Sequence, residues 1–173
     1  MEEKKISFSV QMTTTELYRF KLYHAYHKFS GILGVILSIV SVFVLLTSFV
    51  KLTEQTRAVL ILVAVWFILF EPVKFYVHAR GQVKRNKVYK ELLNYAIDET
   101  GISISQDEQQ QMVEWKQLFK IVETKKQFLV YSGPMYAFIF PKSQMGEESC
   151  EKFRKLVLEN TKDTRVQLKG FKK

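Results

Sequence analysis

The sequence predicts an α+β membrane protein: a two-helix transmembrane hairpin inserted in a cytoplasmic domain of about seven antiparallel strands with a C-terminal capping helix. Three observations predict it. Residues 29–50 form a run of 22 without a charge and residues 58–70 a run of 13. Residues 6–12, and six short stretches between residues 94 and 140, read as strands bounded by turn residues. Residues 146–160 place Cys150, Phe153, Leu156 and Val157 at helical spacing. The mean hydropathy of −0.04 averages these unlike regions. Of the 173 residues 47% are hydrophobic, which excludes a disordered chain, and the single cysteine excludes a disulfide scaffold or a Cys-rich zinc domain. Lys and Arg exceed Asp and Glu by 26 to 17, a net charge of +9.

Residues 1–28 comprise a strand and a pre-membrane helix. Ile6, Phe8, Val10 and Met12 alternate with polar residues, as in a half-buried strand, and the threonines at 13–15 with Glu16 offer a helix start. Residues 29–50 follow as the first span. At 1.5 Å per residue they reach about 33 Å, enough for a hydrocarbon core of about 30 Å. Gly31 and Gly34 are expected to pack against the second span. Residues 51–57 form the extracytoplasmic loop, and residues 58–79 the second span, which Pro72 can kink.

Residues 1–28 carry five basic residues and residues 74–90 carry six, against Lys51 and Arg57 in the loop. Basic flanks stay inside, so the chain is expected to be a multi-pass protein of the cell membrane with both termini cytoplasmic. The first span is too long, and too far from Met1, for a cleaved signal peptide. Residues 80–94 read as a basic juxtamembrane helix, residues 95–163 as the cytoplasmic domain and residues 164–173 as a basic tail. An isolated strand is unstable in water, so residues 6–12 are expected to join the C-terminal strands. That arrangement, seven strands capped by one helix, is pleckstrin-homology-like (PH-like).

Glu71 is the intramembrane polar residue. It is read either as a proton- or ion-responsive group or as the interfacial partner of Lys74, and the second is preferred because the basic flank begins about two helical turns later. His24 and His27, at i and i+3, share a helix face, but no local third metal ligand accompanies them. Cys150 reads as a packed thiol, Trp115 as core or sheet packing and residues 123–126 as a solvated turn. Lys74, Arg80, Lys84, Arg85 and Lys87 are the candidate lipid-surface contacts, within a segment, 71–94, of net charge +4. Each such charge contributes about 1 kcal/mol near an anionic surface. Nucleic acid is not an expected partner: no motif is present, and residues 95–173 have a net charge of only +2.

The run from Glu114 through Trp115, Leu118, Phe119, Ile121 and Val122 to Tyr131, followed by Ala137, Phe138, Ile139, Phe140, Pro141 and Lys142, resembles bacterial YcxB-like membrane proteins. So does the order of strand, hairpin and C-terminal domain opening at Glu99, Thr100, Gly101 and Ile102. The resemblance implies a bacterial membrane protein with a PH-like C-terminal domain, and it implies no reaction and no catalytic residues. The expectation is a non-enzymatic, membrane-anchored binding module at the inner leaflet, without cofactor or metal. It would engage a protein or peptide partner, as an adaptor or accessory subunit, through a sheet edge or the groove beside the C-terminal helix. The alternative is a sensor of anionic lipid, held by the basic flank and the C-terminal lysines. A transporter or channel subunit is disfavoured, because two helices form no pathway unless the chain is a homo-oligomer.

Overall fold

The computed structural model describes residues 5–161, 165–168 and 171–172, with Arg165 and the last pair by backbone alone. They divide into two compact units: Leu17–Gln82, and the residues up to Glu16 together with those from Val83 onward. The helical segment thus interrupts a unit assembled from both ends of the chain.

In the helical unit, α1 (Thr14–Tyr26) leads to α2 (Phe29–Ser48), a 3₁₀ turn (Phe49–Lys51), α3 (Glu54–Val65), a π-helical turn (Trp66–Phe70) and α4 (Glu71–Arg85). Phe29–Lys51 and Glu54–Arg85, of 23 and 32 residues, are long and apolar enough to cross a membrane, and most of their side chains are exposed. The second helix begins at Glu54, earlier than the expected Ala58, because the Thr53 hydroxyl accepts the Thr56 N–H at 3.3 Å and Glu54 complements the N-terminal dipole. It continues without a break to Arg85, absorbing part of the expected juxtamembrane helix.

Small residues line the contact between α2 and α3. Gly34, Ser38 and Ser41 are buried on α2 and Ala64 on α3, and Ser38 Oγ donates to the Val63 carbonyl at 3.2 Å. A Cβ on Gly34 would overlap the Phe67 ring, as expected of a packing glycine, whereas one on Gly31 would meet the Ala25 carbonyl of α1, not the second span.

Pro72 explains the π turn. Its ring crowds the carbonyl four residues back, and widening the helix by one residue relieves the clash. The Glu71 N–H reaches back to the Trp66 carbonyl. Pro72 has no N–H to serve the next carbonyl, Phe67, in the same register. The Tyr26 hydroxyl donates to it instead, at 3.1 Å.

The other unit holds two sheets. In the first, β1 (Ile6–Val10), β2 (Leu93–Ile97), β3 (Gly101–Gln106) and β4 (Gln109–Glu114) lie in that order, and all pairs are antiparallel. The N-terminal strand therefore does join the C-terminal strands, with Ile6 opposite Ile97 and Val10 opposite Leu93. In the second sheet the order is β7 (Ala137–Pro141), β6 (Gln127–Tyr131), β5 (Lys120–Glu123), β8 (Arg165–Leu168) and β9 (Phe171–Lys172). Here β8 runs parallel to β5.

The expected count of about seven strands is thus corrected to nine among the described residues, and the supposed basic tail supplies the other two. Val166 and Leu168 are buried while Gln167 between them is exposed, the period-2 pattern of a strand. The C-terminal lysines Lys169 and Lys173 lie outside the described residues.

A short helix α5 (Lys87–Lys90) precedes β2, and α6 (Lys142–Met145) and α7 (Glu147–Asn160) follow β7. On α7 Cys150, Phe153, Leu156 and Val157 are buried, the face read from the sequence. Phe153 meets Phe128 and Phe140 edge-on at 4.9 and 5.6 Å. Phe140 in turn meets Phe8 and Tyr95 of the first sheet at 5.2 and 4.8 Å. Both sheets and the helix therefore share one aromatic core.

Candidate functional site

A groove of about 710 Å³ runs between the two sheets of the strand unit. Its apolar surface comes from Leu93, Tyr95 and Ile104 of the first sheet and Ile139 of the second, all largely buried. Gln106 and the exposed Gln109, Gln110 and Gln111 form a polar rim. Val88 and Tyr89 of α5 close one side. The Gln106 amide donates to the Val88 carbonyl at 2.9 Å, and Gln11 donates to the Tyr89 carbonyl at 2.9 Å, so α5 is tied to both β3 and the end of β1. Burial pushes the Tyr95 and Tyr89 phenols above their usual range, which keeps both protonated.

The wall formed by β7 is a free sheet edge. The Lys142 N–H donates to the Lys126 carbonyl at 3.0 Å and the Ser132 N–H to the Tyr136 carbonyl at 3.1 Å. These bonds fix the phase of the β6–β7 ladder: Phe128/Phe140 and Val130/Phe138 are its hydrogen-bonded pairs, and Leu129/Ile139 and Tyr131/Ala137 are not. The N–H and C=O groups of Ala137 and Ile139 consequently point away from β6. No strand among the described residues pairs with β7 on that side. Pro141, the next outward position, offers no N–H. An extended segment laid along Ala137–Ile139 would meet two donors and two acceptors beside an apolar floor.

The sequence-predicted residues fall elsewhere. Glu71 accepts from Lys74 Nζ at 2.5 Å, the i, i+3 pair that was preferred. Arg80, Lys84, Arg85 and Lys87 are exposed, the first three on α4 and the last at the start of α5. The two histidines have separate neighbours: His27 Nδ1 lies 2.9 Å from the Tyr23 carbonyl with its ring stacked on Tyr23, and His24 is tilted against Phe20. No group of three or more His, Cys, Asp or Glu side chains suited to a metal occurs among the described residues. Cys150 is buried, and burial pushes its thiol up. Trp115 donates its indole N–H to the Asp98 carbonyl at 2.9 Å and packs on Phe153.

One residue was misread. Glu123, assigned to a solvated turn, has a side chain wholly withdrawn from water. It accepts Arg154 Nε at 3.1 Å and Nη2 at 2.8 Å, and it pairs with Lys142. Both cations also lie over the Phe128 ring, at 5.7 and 4.8 Å. The partners are 31 and 19 residues away, so no local pattern announces the cluster. Nor does the groove have a local signature, since its lining comes from α5, β2, β3, β4 and β7 together.

A comparison with curated proteins finds no match. Residues 97–157, which run from the end of β2 into α7, match the family model described as YcxB-like protein, so the resemblance read from the sequence holds over that segment.

Proposed function

We propose that the protein is a non-enzymatic, membrane-anchored binding module whose PH-like domain takes an extended segment of a partner protein into the groove as an added strand on β7. The partner would be another membrane or cytoplasmic protein, making this chain an adaptor or accessory subunit. Two long apolar helices with mostly exposed side chains support the anchor. Their basic flanks support a cytoplasmic position for the strand unit. Two sheets closed by a C-terminal helix, with a YcxB-like segment, support the PH-like reading. The observation that carries the binding role is the outward-facing, unpaired backbone of Ala137 and Ile139 along an apolar groove. Of the two sites expected from the sequence, a sheet edge or the groove beside the C-terminal helix, this reading takes the sheet edge.

The test uses the ladder phase. Ala137→Pro removes an outward N–H without deleting a β6–β7 bond, whereas Phe138→Pro deletes one. Full-length protein in nanodiscs is used to capture partners from native membranes. Ala137→Pro is expected to lose its partner while keeping the wild-type melting temperature. Retention of the partner by a folded Ala137→Pro variant would refute the reading.

A second reading, recognition of anionic lipid, is favoured by the exposed Arg80, Lys84, Arg85 and Lys87 within two turns of one another. Recovery of enriched anionic lipid that is lost at high salt and on neutralising these four residues would support it.

A further inference from the structure

The groove has an acidic mouth. Glu108 lines it. Asp107, beside it in the β3–β4 turn, is held in the left-handed region at a φ of 51° and lies within hydrogen-bonding reach of Glu91. Glu91 follows α5, whose Val88 and Tyr89 also line the groove. Three exposed carboxylates thus gather where the β3–β4 turn meets α5. No lysine or arginine lines the groove, and no ion pair to any of the three occurs among the described residues. Lys87 is the nearest cationic influence on Glu91, and it does not offset Asp107: the Glu91 carboxyl is held above its usual range, chiefly by Asp107. The chain as a whole carries a net charge of +9, and elsewhere Glu114 and Glu148 each pair with a lysine.

We infer that the groove selects an extended protein segment bearing a lysine or arginine at one end, which sits between Glu91, Asp107 and Glu108 while apolar side chains fill the floor at Leu93, Ile104 and Ile139. The inference rests on the groove being a peptide site, and it adds the charge of the occupant. A basic side chain would relieve the Glu91–Asp107 repulsion, and an acidic one would add to it. Alternation follows from the strand geometry, since every second side chain of an added strand faces the floor. Adaptable amides at Gln109, Gln110 and Gln111 can meet the polar side chains between.

The test pans a displayed library of random nine-residue peptides over the full-length protein in zwitterionic nanodiscs. Enriched peptides are expected to alternate apolar residues and to carry Lys or Arg at one end. Replacing that residue by Gln should weaken binding about fivefold, the upper range for an exposed ion pair. The variant Glu91→Gln/Asp107→Asn/Glu108→Gln should weaken the basic peptide to the same extent and leave the Gln peptide unchanged. Asn is tolerated in the left-handed region, so the turn survives. Enrichment without a basic residue, or equal binding by wild type and the triple variant, would overturn the charge inference. In either case loss of the peptides with Ala137→Pro would leave the groove reading standing. Peptides indifferent to Ala137→Pro, or no enrichment at all, would overturn both.

Discussion

Arg154→Met tests whether the buried carboxylate of Glu123 clamps α7 to the sheet. The Glu123 side chain is 0% exposed, and Arg154 supplies two of its charge-assisted bonds, at 3.1 and 2.8 Å. The same contact raises the Arg154 guanidinium further above neutrality. Each bond to a charged group contributes about 1.5–3 kcal/mol, and removing one partner of a buried pair costs about 3–5 kcal/mol. Lys142 remains to share the charge, which places the loss at the lower end, about 3 kcal/mol. At roughly 4 °C per kcal/mol for a unit of about 100 residues, the melting temperature should fall by about 12 °C. The assay is a thermal melt of the full-length protein in mild detergent, followed by near-ultraviolet circular dichroism. Trp115 contributes to that signal through its packing on Phe153. Replacing Glu123, Lys142 and Arg154 together by Met should cost less than Arg154→Met alone, because no orphan charge remains. A loss below about 1 kcal/mol for Arg154→Met, or a triple variant as damaged as the sum of the singles, would refute the clamp.

Other outcomes can be checked alongside it. Asp98 accepts from the hydroxyl and N–H of Thr100 and the N–H of Gly101, and these bonds, led by the Thr100 hydroxyl, hold its carboxyl below the usual range. A depressed folded-state pKa gives stability that is present above the unfolded value, about 3.9, and is lost as pH falls through the folded one. The wild type should therefore lose stability more steeply than Asp98→Asn between about pH 5 and 3, and parallel urea titrations would contradict this. Gln127 is 1% exposed, and neither side-chain polar atom finds a partner among the described residues. Gln127→Met should stabilise the unit by about 1–3 kcal/mol in urea unfolding. Tyr26→Phe strips the Phe67 carbonyl of its donor and should destabilise the helical unit by about 1–3 kcal/mol. Pro72→Ala, which restores an N–H, should recover part of that loss in far-ultraviolet melts. Deleting residues 1–12 removes β1 from the sheet edge and should speed proteolysis of residues 95–161.

Local pattern carried the elements, and long-range pairing decided what lay beyond its reach. The spacing of Phe153, Leu156 and Val157 fixed the buried face of α7 because a helix reports its own environment every three or four residues. The alternation of residues 6–12 likewise identified a strand, and its need for a partner pointed to the C-terminal strands, among which it pairs with β2. The second-helix start at Glu54 was missed because the apolar run begins later, at Ala58, while Thr53 supplies the cap. Arg165–Leu168 was masked by surrounding charge, although Val166 and Leu168 alternate as a strand should. Glu123 looked solvated because its turn carries two lysines, and only the return of α7 brings Arg154 to it. The open backbone at Ala137 and Ile139 is a property of ladder phase, which side-chain identity does not record.

The pairing of β1 with β2 also sets an order of events during synthesis. Ser9 and Asn94 face each other although they lie 85 positions apart in the chain. At about 5–20 residues per second, the first strand would wait roughly 4–17 seconds for its neighbour to emerge. Throughout that interval its apolar face at Ile6 and Val10, later fully covered, has no native neighbour, while both long apolar helices leave the ribosome. A chaperone that held the nascent amino-terminal segment until Leu93 appeared would therefore raise the yield of folded protein, and slowing translation after Gln82 would lower it.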